Sequence, residues 1–429
     1  MKRSSFFPCI LLFMTMLQSC SASSDPADGA QSDSPRDISP QVSDSDLKET
    51  VRGNSEFAFA LYRQMASGDG NMVYSPYSIS GALAMTYAGA RNRTAEQMAG
   101  ALRFALPQER LHPAFNKLAL ELAARSRVEG VDPDGAFHLN IANSLWGQSG
   151  FHFLPEFLDE LACNYAAGMR LVDFEKDPDA ARRAINDWVW RATEERIKDI
   201  IPDPPPELIT TLTRLVLVNA VYFKAAWQSP FDPDATRPAS FHLLDGSSVD
   251  VPTMRLAGGL RSMQGEGYRA VELPYAGGEL SMLIFLPDDG EFHNVEARLD
   301  AGRVTGTMDA LQGGDVVLHM PKFKFDWTAE DLSGNLRLLG MVDAFTMDAD
   351  FSGMDGDLDL FISAVLHKAF IAVDESGTEA AAATVVIVTR KGLAGNPVEF
   401  TIDRPFFFLI RDNPTGTILF LGRVTNPAA

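Results

Sequence analysis

The amino-acid sequence predicts a large α+β domain, because helical and strand patterns occupy different parts of the chain. Apolar residues recur at the spacing of amphipathic helices in segments 56–65, 78–87, 94–102 and 177–201. Short runs rich in β-branched, aromatic and leucine residues follow in segments 215–223, 280–287, 316–321, 406–411 and 417–424. Helices first and strands later favour an α+β arrangement over a wound parallel sheet.

Local signals mark where several of these elements begin or turn. Ser75 and Pro76 precede the second helical segment and form a helix-start pattern. Thr94 lies three residues before Gln97, which is a capping-box pattern at a helix N-terminus. Residues 412–416 are rich in turn formers and separate two apolar runs, so the last two strands form a predicted hairpin.

Charge and composition limit the classes of function. The 429-residue chain carries a net charge of −20. Such an acidic protein is a poor partner for the phosphate backbone, so we predict no nucleic-acid partner. The hydrophobic fraction of 46% is ordinary for a globular protein and suffices for a large core.

The N-terminus has the pattern of a secretory signal. A short basic start precedes residues 6–17, which are nearly all apolar but too few to span a bilayer. The stretch ends in the sequence LQSC, which is similar to the processing box of bacterial lipoproteins. We therefore predict a signal peptide over residues 1–19 and a lipid on the thiol of Cys20. The alternative is an ordinary signal peptide cleaved near Ser23.

Residues 20–50 are mainly Ser, Asp, Pro and Gln, a composition that buries too little apolar surface to fold. We predict that they form a disordered tether and that the globular domain spans residues 51–429. Cys9 lies in the predicted signal peptide and Cys20 is the predicted lipid site. Cys163 is then left alone, which predicts a domain without an internal disulfide.

Motifs of common enzymes and metal sites are missing from the sequence. It contains no G-x-S-x-G nucleophile elbow, no H-E-x-x-H zinc motif and no C-x-x-C pair. We therefore predict that the protein is not an enzyme and that it has no cofactor and no metal site.

The sequence DESGTEAAAATVVIVTRKG, residues 374–392, combines two structural tendencies. As an extended strand it would place Thr378 and every second residue after it on one face, which begins with small side chains. Small side chains enter between existing strands without overpacking. Residues 389–397 are polar, basic and contain Gly and Pro, as in exposed loops that proteases cut. The stretch alone is equally compatible with a loop or edge strand that has no function.

The segment ESGTEAAAAT, residues 375–384, closely resembles the hinge of inhibitory members of the serpin family. Further segments resemble the same family in the same order, namely residues 71–80, 89–94, 217–227, 361–370 and 404–427. The resemblance runs from about residue 50 to the C-terminus. It implies the serpin fold, with a mostly helical first half, large mixed and antiparallel β-sheets and an exposed reactive-centre loop at about residues 374–400.

The resemblance implies a suicide-substrate inhibitor of proteases. In the family, the target protease cleaves the reactive loop and forms an acyl-enzyme. The loop then inserts into the main sheet as an extra strand and carries the protease with it. The small-residue hinge favours the inhibitory type. The alternative is a non-inhibitory, serpin-fold binding protein that is cleaved as a simple substrate.

Individual residues match the family's sites one by one. The hinge residues are Glu375, Gly377, Thr378, Glu379, Ala380, Ala381, Ala382, Ala383 and Thr384. The polar residues beneath the sheet opening, which we call the shutter, are Ser75, Ser78, Asn219 and His367. The entry point of the loop, which we call the breach, has Trp227 and a charge pair formed by Glu375 and Lys322.

The family's spacing from Glu375 places the cleaved bond at Lys391–Gly392. The neighbouring bond Arg390–Lys391 is the alternative, because the segment that continues to Pro405 is longer than usual. Either base suits a serine protease with an acidic specificity pocket, such as a trypsin-like enzyme. Cysteine proteases that prefer bases are a second class of target. In a further alternative, Arg390 and Lys391 only make the loop soluble and do not determine which protease is the target.

These expectations combine into one prediction. The protein is a monomeric inhibitor of endopeptidases that cleave after Arg or Lys, and it binds the membrane through the lipid on Cys20. It belongs to the bacterial cell envelope, where Ser21 after the lipid site favours the outer membrane, on its periplasmic face or at the cell surface.

Overall fold

A computed structural model of the chain describes residues 29–125, 137–203, 208–329, 331–378 and 397–429. Its helices are α1 (Asp44–Met65), α2 (Pro76–Tyr87), α3 (Asn92–Leu102), α4 (Gln108–Ala124), α5 (Pro155–Tyr165), α6 (Pro178–Ala192), α7 (Phe292–Arg298), α8 (Ala301–Ala310), α9 (Leu332–Leu338) and α10 (Ser352–Asp355).

The strands follow mostly in the second half of the chain. They are β1 (Gly29–Ala30), β2 (Met72–Tyr74), β3 (His138–Gln148), β4 (Met169–Val172), β5 (Leu215–Ala226), β6 (Arg237–His242), β7 (Ser248–Gln264), β8 (Tyr268–Pro274), β9 (Leu280–Pro287), β10 (Gln312–Pro321), β11 (Phe323–Thr328), β12 (Ile362–Val373), β13 (Gly377–Thr378), β14 (Val398–Thr401), β15 (Phe406–Asp412) and β16 (Ile418–Val424). The predicted α+β class and the terminal hairpin, β15 with β16, are confirmed.

Two large sheets organise these strands. The main sheet has the order β1-β4-β3-β5-β13-β12-β11 and is mixed, because β3 with β4 and β5 with β12 run parallel. The second sheet has the order β14-β10-β7-β8-β9-β15-β16-β2, with β6 attached to β7. It is antiparallel except where β10 pairs with β14.

Strand β5 is buried along almost its whole length because both of its faces are covered. Val216, Val218 and Ala220 pack in one apolar cluster with residues of α6. The opposite face points toward the second sheet and α2, where Val221 and Phe223 join the core between the sheets. A polar side chain on this second face is therefore buried and needs a hydrogen-bond partner.

The predicted start of α2 agrees with the structure, whereas the predicted start of α3 does not. Ser75 is the N-cap of α2 and its side chain accepts a hydrogen bond from Ser78 N at 3.2 Å. Helix α3 begins two residues before Thr94, whose hydroxyl instead accepts from Asp350 N at 2.9 Å. A tertiary contact has replaced the local capping box at this position.

Helix α6 is shorter than the predicted segment 177–201. Glu194 and Glu195 adopt positive φ angles of 50° and 63°, a backbone conformation that ends a right-handed helix.

The predicted tether is corrected by the structure for residues 29–50. Strand β1 pairs antiparallel with β4 and extends the edge of the main sheet, and α1 already begins at Asp44. Asn116, which is fully buried, donates a hydrogen bond to the carbonyl of Asp37 at 2.7 Å and accepts one from Arg36 Nε at 2.8 Å. The segment thus binds through backbone and polar contacts, which its low apolar content did not reveal. The predicted signal peptide and Cys20 lie outside the described residues.

Within the described ranges, no helix is both long and apolar enough to cross a membrane.

We expect the substitution Asn116→Ala to loosen the N-terminal segment. It removes the donor for the Asp37 carbonyl and the acceptor for Arg36, at a cost of about 1–3 kcal/mol in the free energy of unfolding. The thermal unfolding midpoint of the variant should fall below that of the wild type. Ile38→Ser is the control, because Ile38 is 82% exposed and its replacement should leave the midpoint unchanged. Equal midpoints for all three proteins would contradict the assignment.

Candidate functional site

The centre of the main sheet is a parallel pair of strands that separates at one end. Strands β5 and β12 pair from Leu215 with Ile362 to Tyr222 with Phe370, and the register shifts by one residue between Ile362 and Ala364. Beyond this point β13 lies between them, antiparallel to both. Gly377 is opposite Ala226, and Thr378 is opposite Ala225 on one side and Val373 on the other. The first two residues of the predicted hinge insertion are therefore already in the sheet.

Position 377 requires a residue without a side chain. A Cβ atom there would lie 2.1 Å from the backbone oxygen of Ala225, so any other residue would push the strands apart. Thr378 is completely buried, and its hydroxyl forms a 2.7 Å hydrogen bond with the hydroxyl of Tyr275. The Tyr275 ring in turn stacks on Trp227 at 4.5 Å between centroids.

Trp227 ties the segment before β13 to the end of β5. Its indole Nε1 donates to the carbonyl of Asp374 at 3.0 Å, and its backbone N–H donates to the carbonyl of Ser376 at 2.9 Å. The breach therefore holds the hinge through backbone atoms. The contact therefore depends little on the side chain of Ser376.

Glu375 and Lys322 form the predicted charge pair, with 2.7 Å between Oε2 and Nζ. Thr236 donates a second hydrogen bond to Oε1 of Glu375 at 2.8 Å. Burial opposes ionisation of this carboxyl, yet the hydrogen bonds from Lys322 and Thr236 hold the pKa of Glu375 below its usual range. Because the Lys322 side chain is 38% exposed, the pair contributes at most about 1 kcal/mol.

The predicted exposed loop, residues 374–400, differs from the structure at both of its ends. Residues 374–378 pack into the breach and the sheet, and residues from Val398 onward form β14 beside β10. The other hinge residues, Glu379, Ala380, Ala381, Ala382, Ala383 and Thr384, lie outside the described residues, as do Arg390, Lys391 and Gly392 of the predicted cleavage sites.

The shutter residues meet beneath the paired part of β5 and β12. Asn219 of β5 and His367 of β12 are opposite each other, and Asn219 Oδ1 hydrogen-bonds to His367 Nδ1. Asn219 Nδ2 donates to Ser78 Oγ and to Oδ1 of Asn143 on the neighbouring strand β3. The network joins three strands of the main sheet to α2.

The contacts of His367 define its tautomer. The backbone N–H of Ser75 donates to His367 Nε2 at 3.4 Å, so Nε2 carries no proton and Nδ1 donates to Asn219. Complete burial lowers the pKa of His367 to about 3, and the ring is neutral at physiological pH. Protonation at Nε2 would break the contact with α2.

Three residues of this site were not predicted from the sequence. Asn143 is a polar residue within an apolar strand pattern, and that irregularity is the signal that identifies it. Tyr275 and Thr236 carry no such signal, because each reaches the hinge only through tertiary structure.

Within the part of the chain that the structure describes, no group of three or more His, Cys, Asp or Glu residues is arranged to hold a metal ion.

Comparisons with known proteins agree with this geometry. The family profile described as Serpin (serine protease inhibitor) matches residues 52–427. An uncharacterised serpin-like protein of Thermococcus kodakarensis is 40% identical over 383 residues, which cover 89% of this chain and 86% of that protein. Leukocyte elastase inhibitor A of Rattus norvegicus is 38% identical over 397 residues, which cover 89% of this chain and 100% of that protein.

The fold also matches a solved structure. The crystal structure of tengpin, a thermophilic serpin in its native state, superposes with a TM-score of 0.80 at 28% identity and covers 93% of this chain and 99% of that chain. The class of protein is defined by a mixed main sheet that opens at a strand pair and by a hinge of small residues at that opening. The chain belongs to the serpin family.

We expect acid to destabilise the native state through His367. The unfolded histidine takes up a proton below about pH 6.5, whereas the native one does so only near pH 3. The stability contributed by neutral His367 is therefore present above pH 6.5 and is lost as the pH falls, by about 2 kcal/mol between pH 6.5 and 5. In the variant His367→Gln this pH dependence should be smaller, because glutamine keeps a donor and an acceptor but does not titrate.

Thermal midpoints measured across this pH range test the expectation. His112 is also buried with a pKa of about 3 and adds a separate acid sensitivity that remains in the variant. His152→Gln is the control, because the side chain of His152 is exposed. A pH dependence that is identical in the wild type and in His367→Gln would show that His367 does not carry the effect.

Proposed function

We propose that the protein is a suicide-substrate inhibitor of serine endopeptidases that cleave after Lys or Arg. The protease serine attacks the carbonyl carbon of Lys391, and the bond to Gly392 breaks. The proton from the serine hydroxyl passes to the new amino group of Gly392. The hinge then continues into the main sheet while Lys391 remains esterified to the protease.

The observation that carries the proposal is the position of β13 between β5 and β12. Because β13 is antiparallel to both neighbours, further residues added to this strand would follow the same register between β5 and β12. Continued in this register, Thr384 would lie between Asn219 and His367, on the face of the sheet that holds the shutter. Insertion would thus separate the hydrogen-bonded pair Asn219–His367, which makes the shutter the barrier to loop entry.

The length of the hinge supports the predicted cleavage site. After insertion in the same register, Val388 would lie opposite Leu215, the first residue of β5, and Thr389 would lie opposite Ile362, the first residue of β12. A strand that begins at Gly377 therefore fills the opening completely by residue 389. Lys391, the proposed attachment point of the protease, would then lie just beyond the sheet.

Insertion also has a sufficient driving force. The new strand would form about a dozen ladder hydrogen bonds, each with a net value of about 1 kcal/mol, in addition to side-chain burial. This gain is comparable with the stability of a whole domain, which is roughly 5–15 kcal/mol. The resting protein is then kinetically rather than thermodynamically stable.

The two bases at Arg390 and Lys391 support a target with an acidic specificity pocket. Leukocyte elastase inhibitors among the relatives support protease inhibition in general. We further infer that the protein acts at the bacterial cell envelope, attached through a lipid on Cys20. The sequence LQSC at residues 17–20 supports this anchor.

Mixing the soluble domain, residues 21–429, with bovine trypsin tests the proposal. We expect a complex of the summed mass that survives denaturing electrophoresis, and a released peptide that begins at Gly392 in mass spectrometry. Lys391→Ala should slow complex formation by at least tenfold, and Arg390→Ala is the matched control. A peptide that begins at Lys391 would shift the cleaved bond by one residue. Cleavage without a stable complex would favour the non-inhibitory binding protein.

We expect Thr378→Arg to convert the inhibitor into a substrate. A guanidinium at this buried position has no carboxylate partner, and burying it costs several kcal/mol. Each 1.4 kcal/mol added to the insertion barrier slows insertion about tenfold, so hydrolysis of the acyl-enzyme overtakes it. The moles of inhibitor consumed per mole of trypsin should rise several-fold.

Ser376→Arg is the matched control for this experiment. Ser376 is partly exposed and contacts Trp227 through its backbone, so the same charge should have little effect there. Equal stoichiometries for the two variants would contradict the insertion of Thr378.

A further inference from the structure

Between Cys20 and Lys48 the chain contains one Lys or Arg, which is Arg36. Lys48 itself lies within α1, and proteases cut helices poorly because the backbone must first unfold locally. A protease that cleaves after basic residues therefore has one bond available in this part of the chain, Arg36–Asp37.

The structure holds this bond on both of its sides. Arg36 Nε donates to Asn116 Oδ1 at 2.8 Å, and the carbonyl of Asp37 accepts from Asn116 Nδ2 at 2.7 Å. The N–H of the bond itself, which belongs to Asp37, donates to the carbonyl of Cys163 at 3.0 Å. Asp37 Oδ1 also accepts from Ser39 N at 2.9 Å, which turns the chain just after the bond. A protease that binds the bond must first break these contacts.

The side chain of Arg36 is partly enclosed as well. It is partly buried and lines a cavity together with Tyr77 of α2 and Phe115 of α4. A trypsin-like protease takes the basic side chain into its own specificity pocket. Cleavage after Arg36 therefore requires the segment to leave this surface.

Further contacts hold the segment on the N-terminal side of the bond. Ser34 Oγ donates to Asp159 Oδ1 of α5 at 2.9 Å, and Ser32 Oγ donates to the same oxygen. Gly29 and Ala30 pair with β4. Single hydrogen bonds of this kind have modest net values, so the loss of one or two raises the fraction of molecules in which the segment is released.

We propose that Arg36–Asp37 is a concealed processing site for proteases that cleave after basic residues. The docked segment protects the bond, and release of the segment makes the bond a substrate. Hydrolysis adds one water molecule across the bond, so that Arg36 ends in a carboxylate and Asp37 begins with an amino group. The consequence rests on the anchor proposed above: in a chain attached through Cys20, the cleavage frees the domain and leaves residues 20–36 at the membrane.

Trypsin digestion of the soluble domain, residues 21–429, tests the proposal. The substitutions Arg390→Ala and Lys391→Ala are present in every sample, because they remove both bases of the predicted reactive loop. The result is then independent of whether that loop traps trypsin. Mass spectrometry follows the fragment that begins at Asp37, and a synthetic peptide of residues 29–43 is the reference for an unprotected bond.

We expect the bond to be cut at least tenfold more slowly in the domain than in the peptide, because several hydrogen bonds must open first. Asn116→Ala should speed the cleavage about tenfold or more, since it removes the acceptor for Arg36 and the donor for Asp37. Asp159→Ala should also speed the cleavage, because both serine hydroxyls lose their acceptor. Asp159 is exposed, so this second variant leaves the core intact.

Lys117→Gln is the matched control and should leave the rate unchanged. Lys117 follows Asn116 on α4 but pairs with Glu121 of the same helix at 3.5 Å. Equal rates for the domain and the peptide would show that docking does not protect the bond. A peptide that trypsin does not cut, or Asn116→Ala and Asp159→Ala domains that are cut no faster, would also overturn the proposal. If circular dichroism shows that Asn116→Ala has unfolded, Asp159→Ala alone decides.

Discussion

The parallel pairing of β5 with β12 is the contact on which the rest of the molecule depends. Parallel strands are slightly less stable per residue than antiparallel ones, and this pair has an antiparallel alternative in the same chain. In the proposed inhibition, the strands hold together in the resting state and separate when the loop is cut. Both faces of β5 are buried, so a separation of the strands would occur inside the core and not at an exposed edge.

Two polar clusters hold this pairing, one beneath its middle and one at its open end. Beneath its middle, Asn219 and His367 connect the strands to Ser75 and Ser78 of α2. At its open end, Trp227 and Tyr275 hold the hinge through two carbonyl groups and one hydroxyl. Hydrogen bonds would suit the proposed insertion better than apolar packing, because an entering strand could replace them one by one with bonds of its own.

Local sequence patterns predict much of this architecture. The α+β class follows from where the helical and strand periods occur, and the cap of α2 follows from Ser75 and Pro76. The shutter and breach residues were found through the resemblance of whole segments. Contacts between segments that are distant in sequence leave no local signal in it. Only the structure therefore revealed that Gly377 and Thr378 lie within the main sheet, that Tyr275 hydrogen-bonds to Thr378 and that Thr94 accepts from Asp350.

For a domain anchored through Cys20, as proposed above, the docked N-terminal segment would limit the distance between the domain and the membrane. If Cys20 carries a lipid, the nine residue steps from it to Gly29 span at most about 30 Å when fully extended. Release of the segment as far as Ser43 would lengthen the connection to 23 steps, or about 80 Å. A trypsin-sized protease is roughly 40 Å across, from the compactness of a domain of that size. In the proposed anchored inhibitor, contacts as small as those of Asn116 with Arg36 and Asp37 would decide whether a captured protease fits between the domain and the bilayer.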